Sequence, residues 1–312
     1  MITTVYSKDD KFQWLDIIEP TPEEIQNLAE KYSLHPTSLH DCLDPEHLPK
    51  YERIGDLNFI ILRAHDEVAV PDADTIQELT RKIAIFFTPK FVITIHRKDQ
   101  PYFVRLREKW KTASHRKSTN LTADLIAELL HSIIESYEPP IDHALGNLEQ
   151  LEMAVFEAQG AKKFKIKQAY FLKRKAFVFK RMLRMMADLL PKINATLDLN
   201  PQEVQNLKEH ADSLYFYTEE LTESVTSLLN LHISLSSQKT NEASHRTNEV
   251  VRVLTIFSVF LLPLNVVTGI YGMNFEHMPE LKSTYGYPIA LGSMIFIVLA
   301  IYTFFRKRGW LR

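Results

Sequence analysis

Hydrophobic and polar positions divide the 312-residue chain into three regimes. In the first hundred residues, short runs rich in Ile, Val and Phe alternate with polar turns. Phe12–Ile18, residues 57–63, residues 81–87 and Phe91–His96 are therefore expected to be strands. After the first of them, Thr21-Pro22-Glu23-Glu24 supplies an N-cap threonine, a proline at N1 and a glutamate at N3, so a helix should run to about Tyr32. A shorter helix should begin near Pro36 and carry Ser38, His40 and Asp41. From about Pro101 onward the pattern is helical. Only eight glycines occur in the chain, five of them at or after Gly269, so the middle should hold long uninterrupted helices.

The third regime is apolar. Residues 253–270 and 287–305 contain no charged side chain, and at about 1.5 Å rise per residue each is long enough to cross a hydrocarbon core of roughly 30 Å. Two such spans, separated by Tyr271-Gly272-Met273-Asn274-Phe275 and a short loop, mark a membrane protein. The mean hydropathy of −0.16 leaves most of the mass water-soluble. Basic residues set the orientation: Arg246 and Arg252 precede the first span and Arg306-Lys307-Arg308 follow the second, whereas the loop carries Lys282 against Glu276 and Glu280. Both ends are thus expected in the cytoplasm and the loop outside, in a multi-pass arrangement in the cell (inner) membrane, with Tyr287 and Trp310 as interfacial anchors in contact with lipid. No basic segment followed by an apolar one opens the chain, so no signal peptide is expected. The single cysteine, Cys42, excludes an intrachain disulfide and a multi-cysteine metal site.

A charge switch organises the helical middle. Residues 121–160 hold eight Asp or Glu and no Lys or Arg, whereas residues 161–192 hold eleven Lys or Arg and one acid, Asp188. An acidic arm packed on a basic arm, with Gly160 between them and Pro139-Pro140 kinking the first, accounts for this; two solvated faces are the plainer alternative. The net charge of −2 gives no pull toward nucleic acid, and Phe164, Phe171, Phe177 and Phe179 make the basic arm read as a packing surface.

Pro201 then opens a helix with no strong breaker before Pro263. Continuous to Ile270, it would hold about 70 residues and measure on the order of 100 Å. Lys239-Thr240-Asn241-Glu242 is echoed seven residues later by Arg246-Thr247-Asn248-Glu249, a heptad step that returns each residue to one face. Carried into the apolar span, this register brings Asn248, Val251, Thr255, Ser258, Leu262, Asn265 and Gly269 onto one seam that leads to Gly272. Polar residues in hydrocarbon need partners or water. The seam is therefore either an aqueous path, with Leu254 and Leu262 as constrictions able to dewet, or hydrogen-bonding glue between helices. One two-span hairpin encloses nothing, so a path requires several copies around an axis.

At the outer end of the seam, Gly272-Met273-Asn274 presents a neutral carboxamide. A ring of such oxygens can hydrogen-bond the water shell of Mg²⁺, which dehydrates reluctantly, without holding it as tightly as carboxylates would. Glu276 and Glu280, just beyond, would raise the local cation concentration.

These residues resemble the CorA family of divalent-cation channels. Tyr271-Gly272-Met273-Asn274-Phe275 is similar to its Gly-Met-Asn signature, and Met278-Pro279-Glu280-Leu281 to the loop that follows. Thr247-Asn248-Glu249-Val250, Val253-Leu254-Thr255-Ile256, Leu262-Pro263-Leu264 and the basic tail also match, and more weakly Leu34-His35-Pro36 with Leu39-His40-Asp41. The resemblance implies a homopentameric funnel with an α+β cytoplasmic domain (1–115), a helical hairpin (116–200), a stalk helix continuing into the first span (201–270), an external turn and loop (271–286), a second span (287–305) and a basic tail (306–312). It implies a filter at Gly272, Met273 and Asn274 for Mg²⁺, with Co²⁺ or Ni²⁺ also carried. It further implies a pore lined from Asn248 onward and narrowed at Leu254 and Leu262. No cofactor is required. Cytoplasmic Mg²⁺ bound at Asp41, with Glu209 and Asp212 facing it, would regulate the pore, although His40 and Asn206 stand where the family carries acids. Two other readings stay open: a Zn²⁺ transporter of the related ZntB branch, suggested by His40 and the twelve histidines, and a non-conducting membrane-anchored coiled-coil sensor. No phosphate loop, nucleophile elbow or HExxH motif supports an enzyme.

Overall fold

Residues 2–8, 12–112, 120–156, 164–276 and 278–310 are described by a computed structural model, and they fall into two compact units, Met1–Ile233 and Ser234–Arg312. The boundary placed at residue 115, Gly160 between the arms, and the last two residues of the tail lie outside the described residues.

The first unit is built on a six-stranded sheet of order β1-β2-β6-β5-β4-β3, with β1 Ile2–Lys8, β2 Phe12–Ile18, β3 Lys50–Ile54, β4 Leu57–His65, β5 Thr80–Phe87 and β6 Phe91–His96. Among the described strands only β2 and β6 pair in parallel. Alternation along β4 assigns the faces: Phe59 and Ile61 join Leu15, Ile17, Phe86 and Ile93 beneath helices α1 (Pro22–Tyr32) and α2 (Pro36–Leu43). Ile60, Leu62 and Ala64 point the other way, into a core shared with α4 (Pro101–Thr112) and α5 (Leu121–Glu135). Helices on both faces explain why the inner strands read as unbroken apolar runs. Each fully buried Phe or Ile contributes roughly 1.5–3 kcal/mol there. The expected capping box is present: the Thr21 hydroxyl accepts from the Glu24 amide at 3.2 Å, and the Thr21 amide donates to the Glu24 carboxylate at 2.9 Å. A one-turn helix, α3 (Ile76–Leu79), leads into β5.

The acidic arm differs from the kinked helix expected. It is two helices, α5 and α6 (Glu138–Phe156), and Pro139 and Pro140 occupy the first turn of α6, where their missing amide hydrogens cost nothing. Tyr137, between them, is fully buried and donates to the Arg63 carbonyl at 2.7 Å. The basic arm is α7 (Ile166–Leu197), which packs on α6. Its ion pairs among the described residues run elsewhere: Lys167 to Asp72 at 3.3 Å, Arg174 to Asp74 at 3.6 Å, Lys180 to Glu219 of the following helix at 2.7 Å, and Arg184 to Asp188 within the helix at 3.6 Å. Phe164 and Phe179 pack inward as expected, but Phe177 is exposed. Helix α8 (Pro201–Tyr271) is unbroken over 71 residues, Pro263 included. Its buried residues, Leu207, Ala211, Leu214, Thr218, Leu221, Val225 and Leu228, step by four and three, a heptad stripe that ends within the first unit.

Charge is buried between the sheet and α4. Asp16, with no exposed surface, accepts from Thr94, from His96 Nε2 at 3.1 Å and from Arg107, which also pairs with Asp99. Trp14 Nε1 donates to Thr94 Oγ1 at 3.1 Å, tying the network to the aromatic core. Burial alone would raise the Asp16 carboxyl; the hydrogen bond and charge of His96, with Thr94 and Arg107, outweigh it and hold the group below the usual carboxylate range. A depressed carboxyl stabilises the fold fully above its unfolded value near ~4 and loses that contribution as pH falls through the folded value. Asp16→Asn should therefore cost about 3 kcal/mol at neutral pH. It should also flatten the acid limb of stability, followed by Trp14 and Trp110 fluorescence. An unchanged melting curve at both neutral and acid pH would contradict the assignment.

Candidate conduction pathway

Every hydroxyl on the first apolar span is satisfied within its own helix. Thr255 Oγ1 donates to the Val251 carbonyl at 2.8 Å, Ser258 Oγ to Leu254 at 2.9 Å and Thr268 Oγ1 to Leu264 at 3.1 Å. The carboxamides behave differently. Asn248, Asn265 and Asn274 are exposed, and none has a hydrogen-bond partner among the described residues. The seam residues Val251 and Leu262 and the adjacent Leu254 are likewise 53%, 64% and 61% exposed. Because α8 is continuous, Asn248, Val251, Thr255, Ser258, Leu262, Asn265 and Gly269 keep their heptad spacing on one helix, with Leu254 adjacent.

The helix ends at Tyr271, where the Gly272 amide bonds the Thr268 carbonyl at 2.9 Å and the Met273 amide that of Ile270 at 3.2 Å. Gly272, Met273 and Asn274 thus leave the helix together. The loop beyond is short and braced. Pro279–Lys282 forms a 3₁₀ turn, Leu281 N bonds Met278 O at 3.2 Å, and Gly286 N bonds Ser283 O at 3.1 Å, opening the second apolar helix, α9 (Gly286–Lys307). A Cβ at residue 286 would lie 2.0 Å from the Glu280 carbonyl oxygen, so only glycine admits this approach. The contact was not visible in the sequence, where Gly286 is one small residue among turn formers. Glu276 and Glu280 are exposed, and neither carboxylate is in an ion pair among the described residues.

The cytoplasmic candidates are placed differently. Asp41, on α2, is held by Lys50 Nζ, by His47 Nε2 at 3.1 Å, and more distantly by His40 Nδ1 at 3.8 Å. Burial opposes its ionisation, but Lys50 and His47 outweigh that and keep the carboxyl below its ordinary value. Lys82 caps the same helix by donating to the Asp41 and Asp44 carbonyls, and burial lowers its pKa to about 8. Lys50 lies on β3 and His47 in the loop before it, so neither was legible from the spacing around Asp41. Glu209 and Asp212 lie exposed on α8. Glu209 accepts from Gln205 at 2.6 Å, and His, Cys, Asp and Glu nowhere assemble into a metal-holding group among the described residues. A cation at Asp41 would have to displace an ammonium group.

Comparison with known proteins covers the same span. A family model described as CorA-like Mg²⁺ transporter protein matches residues 9–307. The cobalt/magnesium transport protein CorA of Thermotoga maritima is 26% identical over 290 residues, covering 92% of this chain and 80% of the relative. The complete structure of the CorA magnesium transporter from Methanocaldococcus jannaschii superposes with a TM-score of 0.56 at 22% identity, covering 98% of this chain and 93% of that one. The ZntB cytoplasmic domain from Vibrio parahaemolyticus shares the fold with a TM-score of 0.58 at 13% identity, covering 73% of this chain and 88% of that domain. The matched length takes in the α/β unit, the stalk helix and both apolar helices: this chain belongs to the CorA-like Mg²⁺ transporter family.

Proposed function

We propose that the chain is one subunit of a homopentameric channel passing hydrated divalent cations, Mg²⁺ foremost with Co²⁺ and Ni²⁺ also carried, across the cell (inner) membrane, both termini cytoplasmic. One observation carries this reading: Asn248 and Asn265 on α8, and Asn274 just past its end, present carboxamides with no hydrogen-bond partner among the described residues, whereas the hydroxyls of the apolar span are bonded within the helix. Five copies around an axis turn each asparagine into a ring of neutral oxygens, able to bond the octahedral water shell of Mg²⁺ without stripping it. Leu254 and Leu262 become apolar rings that close by dewetting. Glu276 and Glu280 concentrate cations at the mouth. A membrane potential of 100 mV supplies about 2.3 kcal/mol per elementary charge, so a divalent ion moves inward without a chemical step.

In proteoliposomes, Asn274→Leu should lower Mg²⁺ influx by at least about tenfold, equivalent to a loss of ~1.4 kcal/mol, while the assembled size stays the same. Unchanged influx would remove Asn274 from the filter. Mg²⁺ and Co²⁺ should enter through the wild-type protein; entry of Zn²⁺ alone, coupled to protons, would contradict the Mg²⁺ reading.

The braced loop makes a separate prediction. Gly286→Ala forces the Glu280 backbone away and should shift the filter loop. Influx is expected to fall several-fold while the Trp14 and Trp110 melting transition stays in place. Full influx in this variant would show that the clamp does not position the filter.

A further inference from the structure

The second apolar helix closes with a specific turn. Gly309 N bonds the Arg306 carbonyl at 3.1 Å and Trp310 N the Phe305 carbonyl at 3.0 Å, with Gly309 at φ +70°. This is the paired bonding of a Schellman motif, with glycine at the left-handed position. The apolar contact that accompanies the motif is present too: the Trp310 ring lies 5.4 Å from Phe305. Phe305 is 6% exposed and lies 6.2 Å from Phe260 of the first span. The last described residues are thus folded back on the helix end rather than frayed.

Three consecutive cations lead into the turn. Arg306, Lys307 and Arg308 are all exposed, and none forms an ion pair among the described residues. Arg252, near the start of the first span, is by contrast paired with Glu249 at 2.8 Å. The Arg308 guanidinium lies 5.5 Å from the Phe304 ring, a contact that leaves its N–H groups available. The negative end of the helix dipole favours cations at this end, but it does not neutralise three of them. What remains is a run of three cations without ion pairs among the described residues, two residues before an indole and at the edge of an apolar span.

We propose that this turn is a binding site for the phosphodiester group of an anionic phospholipid. The Arg306 and Arg308 forks suit its two non-bridging oxygens, Lys307 adds charge, and Trp310 sits at headgroup depth. A free phosphate would offer the same oxygens, but the Phe304–Phe305–Trp310 aromatic edge beside the cations favours a ligand with acyl chains. The site rests on the membrane placement of α9 and not on conduction.

Trp310 makes the test direct, because the other two tryptophans, Trp14 and Trp110, are wholly buried in the first unit. The full chain is reconstituted in phosphatidylcholine vesicles and titrated with brominated phosphatidylglycerol or brominated phosphatidylcholine, and Trp310 quenching is recorded. Phosphatidylglycerol should be preferred by about fivefold or more, the ratio that one cation near an anionic surface supplies. R306Q/K307Q/R308Q should abolish the preference while quenching by both lipids persists. Arg246→Gln should leave it intact. Equal quenching in the wild type, a preference that survives the triple substitution, or one lost in Arg246→Gln would each overturn the proposal. So would displacement by sodium phosphate beyond that produced by sodium chloride at equal ionic strength. Absence of quenching by either lipid would instead refute the membrane placement itself.

Discussion

A carboxamide on a membrane-crossing helix must find a partner or water, and Asn265 of α8 has no partner among the described residues. The hydroxyls beside it turn back on their own helix, but an asparagine amide does not settle its four hydrogen-bonding sites that way. The need therefore passes to other copies of the chain or to an aqueous path, and much of the architecture follows. The first unit buries a heptad stripe of α8 only as far as Leu228. Beyond it the same helix continues with exposed apolar and amide positions, an arrangement suited to assembly.

The two units use polar groups in opposite ways. In the first, Asp16, His96, Thr94 and Arg107 satisfy one another inside the core, and the network joins β2, β6 and α4. Removing one member leaves charge without a partner, so the cluster rigidifies this part of the fold. In the second, among the described residues, amides without partners lie before, on and just beyond the first span, and cations without ion pairs lie at the end of the second. Groups left unpaired on a membrane-facing unit are the ones available to ions and headgroups.

Much of this was legible in the sequence, for identifiable reasons. The inner strands announced themselves because helices cover both faces of the sheet. The edge strands β1 and β3 did not, since Ile-Thr-Thr-Val-Tyr-Ser-Lys and Lys-Tyr-Glu-Arg-Ile carry the polar alternation of half-covered chain. The Thr21–Glu24 box was readable because capping is local. Pro139-Pro140 misled for the same local reason: a proline pair marks a kink or a helix start, and only the burial of Tyr137 decides between them. The seam was legible because a heptad register survives in a continuous helix. The Lys50 and His47 partners of Asp41 and the Gly286–Glu280 approach depend on tertiary geometry, which spacing does not encode.

The central claim is that the asparagine seam faces water. Cys42 is buried, its thiol pushed up to about 11 by burial, so single cysteines introduced on α8 can be read almost without background. In the reconstituted protein, a hydrophilic thiol reagent should label cysteines at Thr255, Ser258 and Asn265, with Mg²⁺ slowing the reaction. Those at Phe260, Leu264 and Val267, on the opposite face, should stay unlabelled. Equal labelling of both faces, or none on the seam, would contradict the account.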